Sequence, residues 1–281
     1  MRRFALLLSL LAFVAQPAAA ASSPSLTGLE QQLSYLVANK SADVGIAALD
    51  LTTGESISVK GNTPFPMAST VKVAVAALYL AQVDHGRRSL DDTINGQSAR
   101  SLMRRMLVHS DNRATDILLR DLGGPGALHD WLHQNGMTGL RVDRSIAQLL
   151  SDKRDLWDAR DSSTPTAMVD LLKRIYRAEL IKPASRDYLM DLMAQCATGK
   201  NRIKALLPFG TPVEHKTGTL NGLTDDIGFI TMPDGHRVAV AIFARGGSNR
   251  PGTIAEAARA IYDGFKSVFR LPYSIGGASF R

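Results

Sequence analysis

The chain holds one cysteine, Cys196, in 281 residues, which excludes an internal disulfide even in an oxidising compartment. With no activating group beside it in the sequence, Cys196 reads as a buried, inert thiol. Aromatic residues make up only 6%, so the stacking platforms of a single-strand nucleic-acid binder are scarce, and the basic residues are scattered rather than gathered into a patch. Nucleic acid is therefore not an expected partner despite a formal charge of +7; an anionic envelope or an anionic small molecule suits that charge better. Apolar runs long enough to span a bilayer are also missing. The longest, Phe4 to Val14, follows Met1-Arg2-Arg3 and precedes Ala18-Ala19-Ala20, which is the order of a secretory leader. The expectation is a signal peptide over residues 1–20, export to the periplasm or the medium, and a mature chain starting near Ala21 or Ser22 without Arg2 and Arg3. No cysteine follows the apolar run to carry a lipid, so no stable membrane anchor is expected.

What remains is long and apolar enough, at 45% hydrophobic residues, to bury a large core. Leu29, Leu33 and Leu36 mark an amphipathic first helix. The run Val44 to Leu49, the turn Thr52-Thr53-Gly54 and the alternating Ser56 to Val59 predict a hairpin. From Ser69 to about Gly199 the pattern is helical. Val71 to Val83 is apolar nearly all round, the mark of a helix buried on every side. Further helices are expected over Ser98 to Val108, Asn112 to Leu122, Ala127 to Gln134, and Thr166 to Ala178, the last opened by Thr164-Pro165. Strands return with Ile227 to Met232 and Val238 to Ala244 around Pro233-Asp234-Gly235. Ile254, Ala258, Ile261, Phe265 and Val268 then stripe a last helix. Strands at both ends with helices between imply an α/β fold: one antiparallel sheet built from both chain ends, plus an inserted all-helical lobe. The helical lobe is expected over about 66–205, the sheet lobe over about 24–65 and 206–281, and the site in the cleft between them.

Three motifs punctuate this order. In Ser69-Thr70-Val71-Lys72 the hydroxyl and the amine share one helix face. The lysine sits within an apolar run, Val71 and Val73 to Leu78, where burial weakens its hold on its proton and lets it deprotonate a nucleophile. Ser110-Asp111-Asn112 precedes a helical pattern and by itself is equally a helix N-cap. Lys216-Thr217-Gly218, followed by Thr219, belongs on a strand edge, where the backbone can pair with a bound acyl group and the cation can meet a carboxylate. Together they supply a nucleophile, a proton acceptor, a shuttle and a cationic anchor for acyl transfer through a serine ester.

The three in this order resemble the class A β-lactamase family, within the wider group of β-lactamases and penicillin-binding proteins. The resemblance spans the mature chain and includes Ser110 through Gly124, Arg144 with Asp161, Thr164 through Met168, His215 through Thr219 and Gly222 through Gly228. It implies that Ser69 is the nucleophile, Lys72 its proton acceptor and Ser110 a shuttle to the leaving nitrogen. It implies that Asn112 holds the substrate amide and that Lys216 and Thr217 receive the substrate carboxylate. The backbone N–H groups of Ser69 and Thr219, around Gly218, are implied to form the oxyanion hole, and Arg144 and Asp161 to close an Ω-shaped loop. No cofactor and no metal are implied, and a monomer acting on a β-lactam or a peptidoglycan stem peptide is expected.

Two departures bear on that reading. The family's loop carries a water-activating glutamate soon after the arginine, yet residues 144–160 contain none. Ile146 holds this place when counted from Arg144, Gln148 when counted back from Asp161; Asp152, Asp155 and Asp158 are the acids left. A trapped acyl-enzyme is the expected phenotype. The connector His85 to Ser98 is also compact, which implies a more open cleft. A penicillin-binding D-alanyl-D-alanine peptidase on the same scaffold fits both departures, and a non-hydrolytic binder is the third reading. His129 and His133, an i, i+4 pair, lack a third ligand for zinc; His109 and His215 adjoin motifs that need no histidine; Arg237, Arg245 and Arg250 are all open as the clamp of a substrate carboxylate.

Overall fold

The computed structural model describes residues 24–153 and 155–268; the expected leader lies outside the described residues. The chain opens with α1 (Pro24–Ala38), β1 (Asp43–Asp50), β2 (Ser56–Val59) and the two-residue β3 (Phe65–Pro66). A helical stretch follows: a 3-10 turn (Ala68–Val71), α2 (Lys72–Asp84), a small ladder of β4 (Thr93–Ile94) with β5 (Gln97–Ser98), then α3 (Ala99–Val108), α4 (Asn112–Asp121) and α5 (Gly124–Gln134). After α6 (Ile146–Ser151), the two-residue β6 (Ser162–Ser163) pairs back on β3, and α7 (Pro165–Tyr176) and α8 (Pro183–Ala194) end the helical block. The chain closes with β7 (Val213–Leu220), β8 (Leu223–Thr231), β9 (Arg237–Arg245) and α9 (Arg250–Val268).

Five strands form one antiparallel sheet in the order β2-β1-β9-β8-β7. The two chain ends meet at its centre, where β1 and β9 pair from Asp43↔Arg245 to Asp50↔Val238. Side chains alternate between faces along a strand, and here both faces are covered, so the central strands read as unbroken apolar runs. On one face Ile46 and Ile242 pack with Leu26, Leu29 and Leu33 of α1 and Ile261 and Phe265 of α9. On the other, Ala47, Ala241 and Phe243 join the helical core. α2 is buried on all sides from Lys72 to Ala81, so the helices around it leave no water for a polar side chain except where the protein supplies partners.

The helix starts follow local chemistry. Ser98 caps α3, Asp111 caps α4 and Thr164 caps α7 ahead of Pro165, each accepting a first-turn N–H. The helix read from Val71 begins as the 3-10 turn, which puts Ser69 just before the α-helix rather than in it. α6 and α8 escape periodicity: α6 is only six residues, and Ser145 and Gln148 define it through a capping box.

The segment from Arg144 to Asp161 closes on itself. Arg144 Nε donates to Asp161 Oδ2 at 2.6 Å and its Nη1 to Asp152 at 2.7 Å, while Asp161 Oδ1 accepts the N–H groups of Asp143 and Arg144. A second anchor comes from α4, where the two oxygens of Asp116 accept the N–H groups of Ile146 (2.7 Å) and Ala147 (2.9 Å). Removing one partner of such a pair strands the other. Arg144→Ala is expected to cost about 3 kcal/mol, read as a lower urea midpoint, with faster amide exchange at Asp143 and through α6.

Candidate active site

Ser69 is half-buried on the 3-10 turn, directly after Ala68, whose φ of +45° is an uncommon conformation for a residue with a side chain. Lys72 follows three residues later as the first residue of α2. The Lys72 amine is fully buried at the head of α2 and reaches three acceptors: the Ser110 carbonyl at 2.7 Å, Asn112 Oδ1 at 2.7 Å and Ser110 Oγ at 3.2 Å. Burial, helped by the charge of Lys216, lowers its pKa to about 7 against the opposing pull of Asp111 and Asp116.

Ser110 is in the left-handed region as well, with φ +57°. That turn directs both its carbonyl and its hydroxyl at Lys72, and the hydroxyl also accepts from Lys216 Nζ at 2.9 Å. One hydroxyl thus bridges two lysines from opposite sides of the cleft. Asp111 behind it caps α4 and takes Arg105 Nε at 3.0 Å, and Asn112 stays exposed on the cleft side. The adjoining hollow, about 450 Å³, is lined by Asn112, Arg113, Asp116, Ala147, Leu150 and Asn95, the last at the tip of the compact connector.

β7 is one of the two edge strands of the sheet. Lys216 is fully buried, and burial together with the charge of Arg202 lowers its pKa to about 8, opposed by Cys196 and Asp226. Thr219 is exposed. A Cβ on Gly218 would stand 2.9 Å from the Met67 carbonyl and 2.9 Å from Asp225 Oδ2, so only glycine lets the strand lie this close to the turn that carries Ser69. Burial pushes the Asp225 carboxyl well above the ordinary carboxylate range.

The arginine at the cleft is one that the sequence reading did not consider. Arg202, buried, donates to the carbonyls of Gly218 (2.8 Å) and Asp225 (2.7 Å) and, through Nη2, to Thr219 Oγ1 at 2.7 Å. It lies in the turn after α8, far from any motif, and no periodicity marks it. The three arginines considered are engaged elsewhere. Arg237 pairs with Glu214, Arg245 with Asp43 beneath the Trp157 ring, and Arg250 with Thr224 Oγ1 and the Gly246 and Gly247 carbonyls.

Among the described residues of the 144–160 loop, the acids are turned to structural partners or to solvent. Ile146 is buried and faces Met67, Ala68 and Val71, under the nucleophile turn. Gln148 turns its side-chain oxygen back onto the Ser145 N–H at 2.9 Å. Asp152 pairs with Arg144, Asp155 is exposed and accepts from the Trp157 N–H, and Asp158 is held at about 2 by its bonds to Arg160. His109 is exposed; His129 meets His133 ring to ring at a tilt of 41° and accepts from the Val142 N–H.

The expected inertness of Cys196 needs correction. The thiol is buried, but His215 from β7 lies against it. Burial would raise its pKa, yet the His215 charge, with Thr198 and Lys216, brings it down to about 6. The activating neighbour is 19 residues downstream, invisible to a reading of adjacent residues.

Comparison with known proteins agrees with this geometry. The model of the β-lactamase enzyme family matches residues 28–265. The extended-spectrum β-lactamase PER-1 of Pseudomonas aeruginosa is 30% identical over 83% of this chain and 86% of its own length. The carbapenem-hydrolysing β-lactamase KPC of Klebsiella oxytoca is 27% identical over 92% and 96%. Among solved structures, the last common ancestor of Gram-negative class A β-lactamases, GNCA4, superposes with a TM-score of 0.80 at 33% identity, covering 85% of this chain and 99% of that one. Agreement of this extent, in sequence and in fold, means that the chain belongs to the β-lactamase enzyme family, as a class A member.

Proposed function

We propose that the protein opens β-lactams by acyl transfer to Ser69 and releases the product slowly. The observation that carries the reading is the Ser110 hydroxyl suspended between Lys72 and Lys216, a ready proton path beside a half-buried serine. Neutral Lys72 takes the Ser69 proton as Oγ bonds to the lactam carbonyl carbon. The N–H groups of Ser69 and Thr219 receive the developing oxyanion. The ring C–N bond then breaks, and the proton held by Lys72 passes through Ser110 to the departing nitrogen. Lys216 and Thr217 hold the substrate carboxylate, with Arg202 behind Thr219 adding positive potential, and Asn112 holds the acyl amide. An exported monomer, freed of its leader, suits this role.

Hydrolysis of the ester needs an activated water; the loop has no glutamate, Asp152 and Asp158 are tied to arginines, and Asp155, without a cationic partner among the described residues, is turned to solvent. The loss of general-base help is worth roughly 10²- to 10⁴-fold, or about 3 to 5 kcal/mol of barrier. The same deficit favours a second reading, a penicillin-binding peptidase acting on D-alanyl-D-alanine stems.

Mixing the protein with a chromogenic cephalosporin while following absorbance and intact mass separates these. A stoichiometric burst and a lasting adduct, absent in Ser69→Ala, is the expected result. Rapid steady turnover refutes slow release, and release of D-alanine from a stem peptide supports the peptidase reading instead. Ile146→Glu puts a carboxylate under the nucleophile turn and is expected to speed adduct loss by at least about tenfold. Gln148→Glu leaves its oxygen on the Ser145 cap and release unchanged, both read by the decay of the adduct mass. Acylation rises with pH through about 7 as Lys72 loses its proton, and falls through about 8 as Lys216 loses the charge that binds carboxylate. Lys216→Arg, whose guanidinium stays charged, is expected to remove the falling limb from the burst-rate profile.

A further inference from the structure

We infer that Cys196 is a positioning residue whose protonation state sets which way the Thr217 hydroxyl points, and so whether Thr217 can donate to a substrate carboxylate. The inference rests on the reading above for the identity of that carboxylate, but not for the state of the thiol.

The parts are contiguous. Asp226 on β8 takes His215 Nδ1 with both oxygens, at 2.9 and 3.0 Å, inside the sheet where both residues are fully buried. The other ring nitrogen of His215, Nε2, is buried and meets no hydrogen-bond partner among the described residues, so it is the charge of the ring that acts on the neighbouring Cys196 thiol. Cys196 Sγ lies 3.3 Å from Thr198 Oγ1, and Thr198 Oγ1 lies 2.6 Å from Thr217 Oγ1. His215 and Thr217 are two apart on β7 and share one face. Gly199 seats the Cys196–Thr198 segment there: a Cβ on it would stand 2.4 Å from Thr217 Cγ2 and 3.6 Å from His215 Cε1.

The donor count then fixes the direction of the chain. A thiolate accepts and cannot donate. Thr198 must give its one proton to Sγ, Thr217 must give its own to Thr198, and only lone pairs are left on Thr217 for a ligand. A protonated thiol lifts that constraint: Sγ–H can donate to the Thr198 carbonyl (3.9 Å) or to Thr198 Oγ1 (3.3 Å), Thr198 can then donate to Thr217, and the Thr217 proton is free to meet a carboxylate. The charge acts in the same sense, because the thiolate partly neutralises Lys216. Groups facing the thiol are His215 and Lys216 from β7 and Arg202 from the turn after α8, with Asp225 and Asp226 from β8 beyond them. Burial lowers the His215 pKa, but Asp226 and Cys196 outweigh it and raise it to about 9, so an imidazolium faces the thiol through the range in which the thiol titrates, about 6.

The test has two arms. Ultraviolet thiolate absorbance of the wild type, less that of Cys196→Ser, is followed with pH; a titration near 6 supports the inference, and a thiol protonated to about pH 8 overturns it whatever the enzymology. In single-turnover acylation by a carboxylate-bearing lactam, the concentration for half-maximal rate is expected to rise roughly tenfold in the wild type as the thiol ionises, the value of a hydroxyl bond to a charged group. The maximal rate follows Lys72 instead. Cys196→Ser, which never ionises, and Thr198→Val, which cuts the chain while the thiol still titrates, both flatten that rise below the Lys216 limb. So does masking the lactam carboxylate as an ester. A wild-type rise that persists in Cys196→Ser overturns the inference. Absence of a Ser69 adduct in every variant would count against the lactam reading and leave the absorbance arm to judge the thiol.

Discussion

A buried ammonium organises this molecule. Removing the Lys72 charge from water costs several kcal/mol unless its donors are met, and α2 is too deep for water to meet them. The junction of α3 and α4 does so instead, with the Ser110 carbonyl and Asn112 Oδ1 each at 2.7 Å. That demand explains the strained backbone at Ser110, since only the left-handed turn offers carbonyl and hydroxyl to the same amine. It also explains why Asp111 is both cap and Arg105 partner: a strained residue persists where its neighbours over-determine it. The helical core fixes α2, Lys72 fixes Ser110, and Ser110 reaches across to Lys216 on the sheet.

The carboxylates of the loop, Asp155 apart, are by contrast spent on structure. Arg144 and Arg160 engage Asp152, Asp158 and Asp161, and Asp116 is committed to two backbone donors. A carboxylate whose charged form is stabilised by a guanidinium is a weak base at neutral pH, as the value of about 2 at Asp158 expresses. The slow ester release proposed above follows from where these negative charges are anchored.

Much of this was legible beforehand. Strands such as Val44 to Leu49 and Val238 to Ala244 announce themselves because both faces are covered and the apolar runs are unbroken. The motif residues are legible because a lysine between Val71 and the apolar run Val73 to Leu78 is costly without a task. Arg202, Asp116 and the His215 contact with Cys196 were not, because each acts on residues far along the chain and matches no local period. α6 was hidden for another reason: its six residues are held by a capping box and a borrowed carboxylate, not by an amphipathic stripe. The 3-10 turn at Ser69 runs straight into α2 with no proline or glycine at the junction, so the sequence does not mark the boundary.

The close approach of Gly218 to the Met67 carbonyl has a mechanical corollary. Strand edge and nucleophile turn meet at the Met67 carbonyl, with the Thr70 methyl and the Asp225 carboxyl packed alongside, so a side chain at 218 has no room unless the turn that carries the serine shifts. Room for bulkier ligands must come from the opposite side, where the short connector and α6 border the hollow, and tolerance for variation should be distributed around the cavity in the same lopsided way.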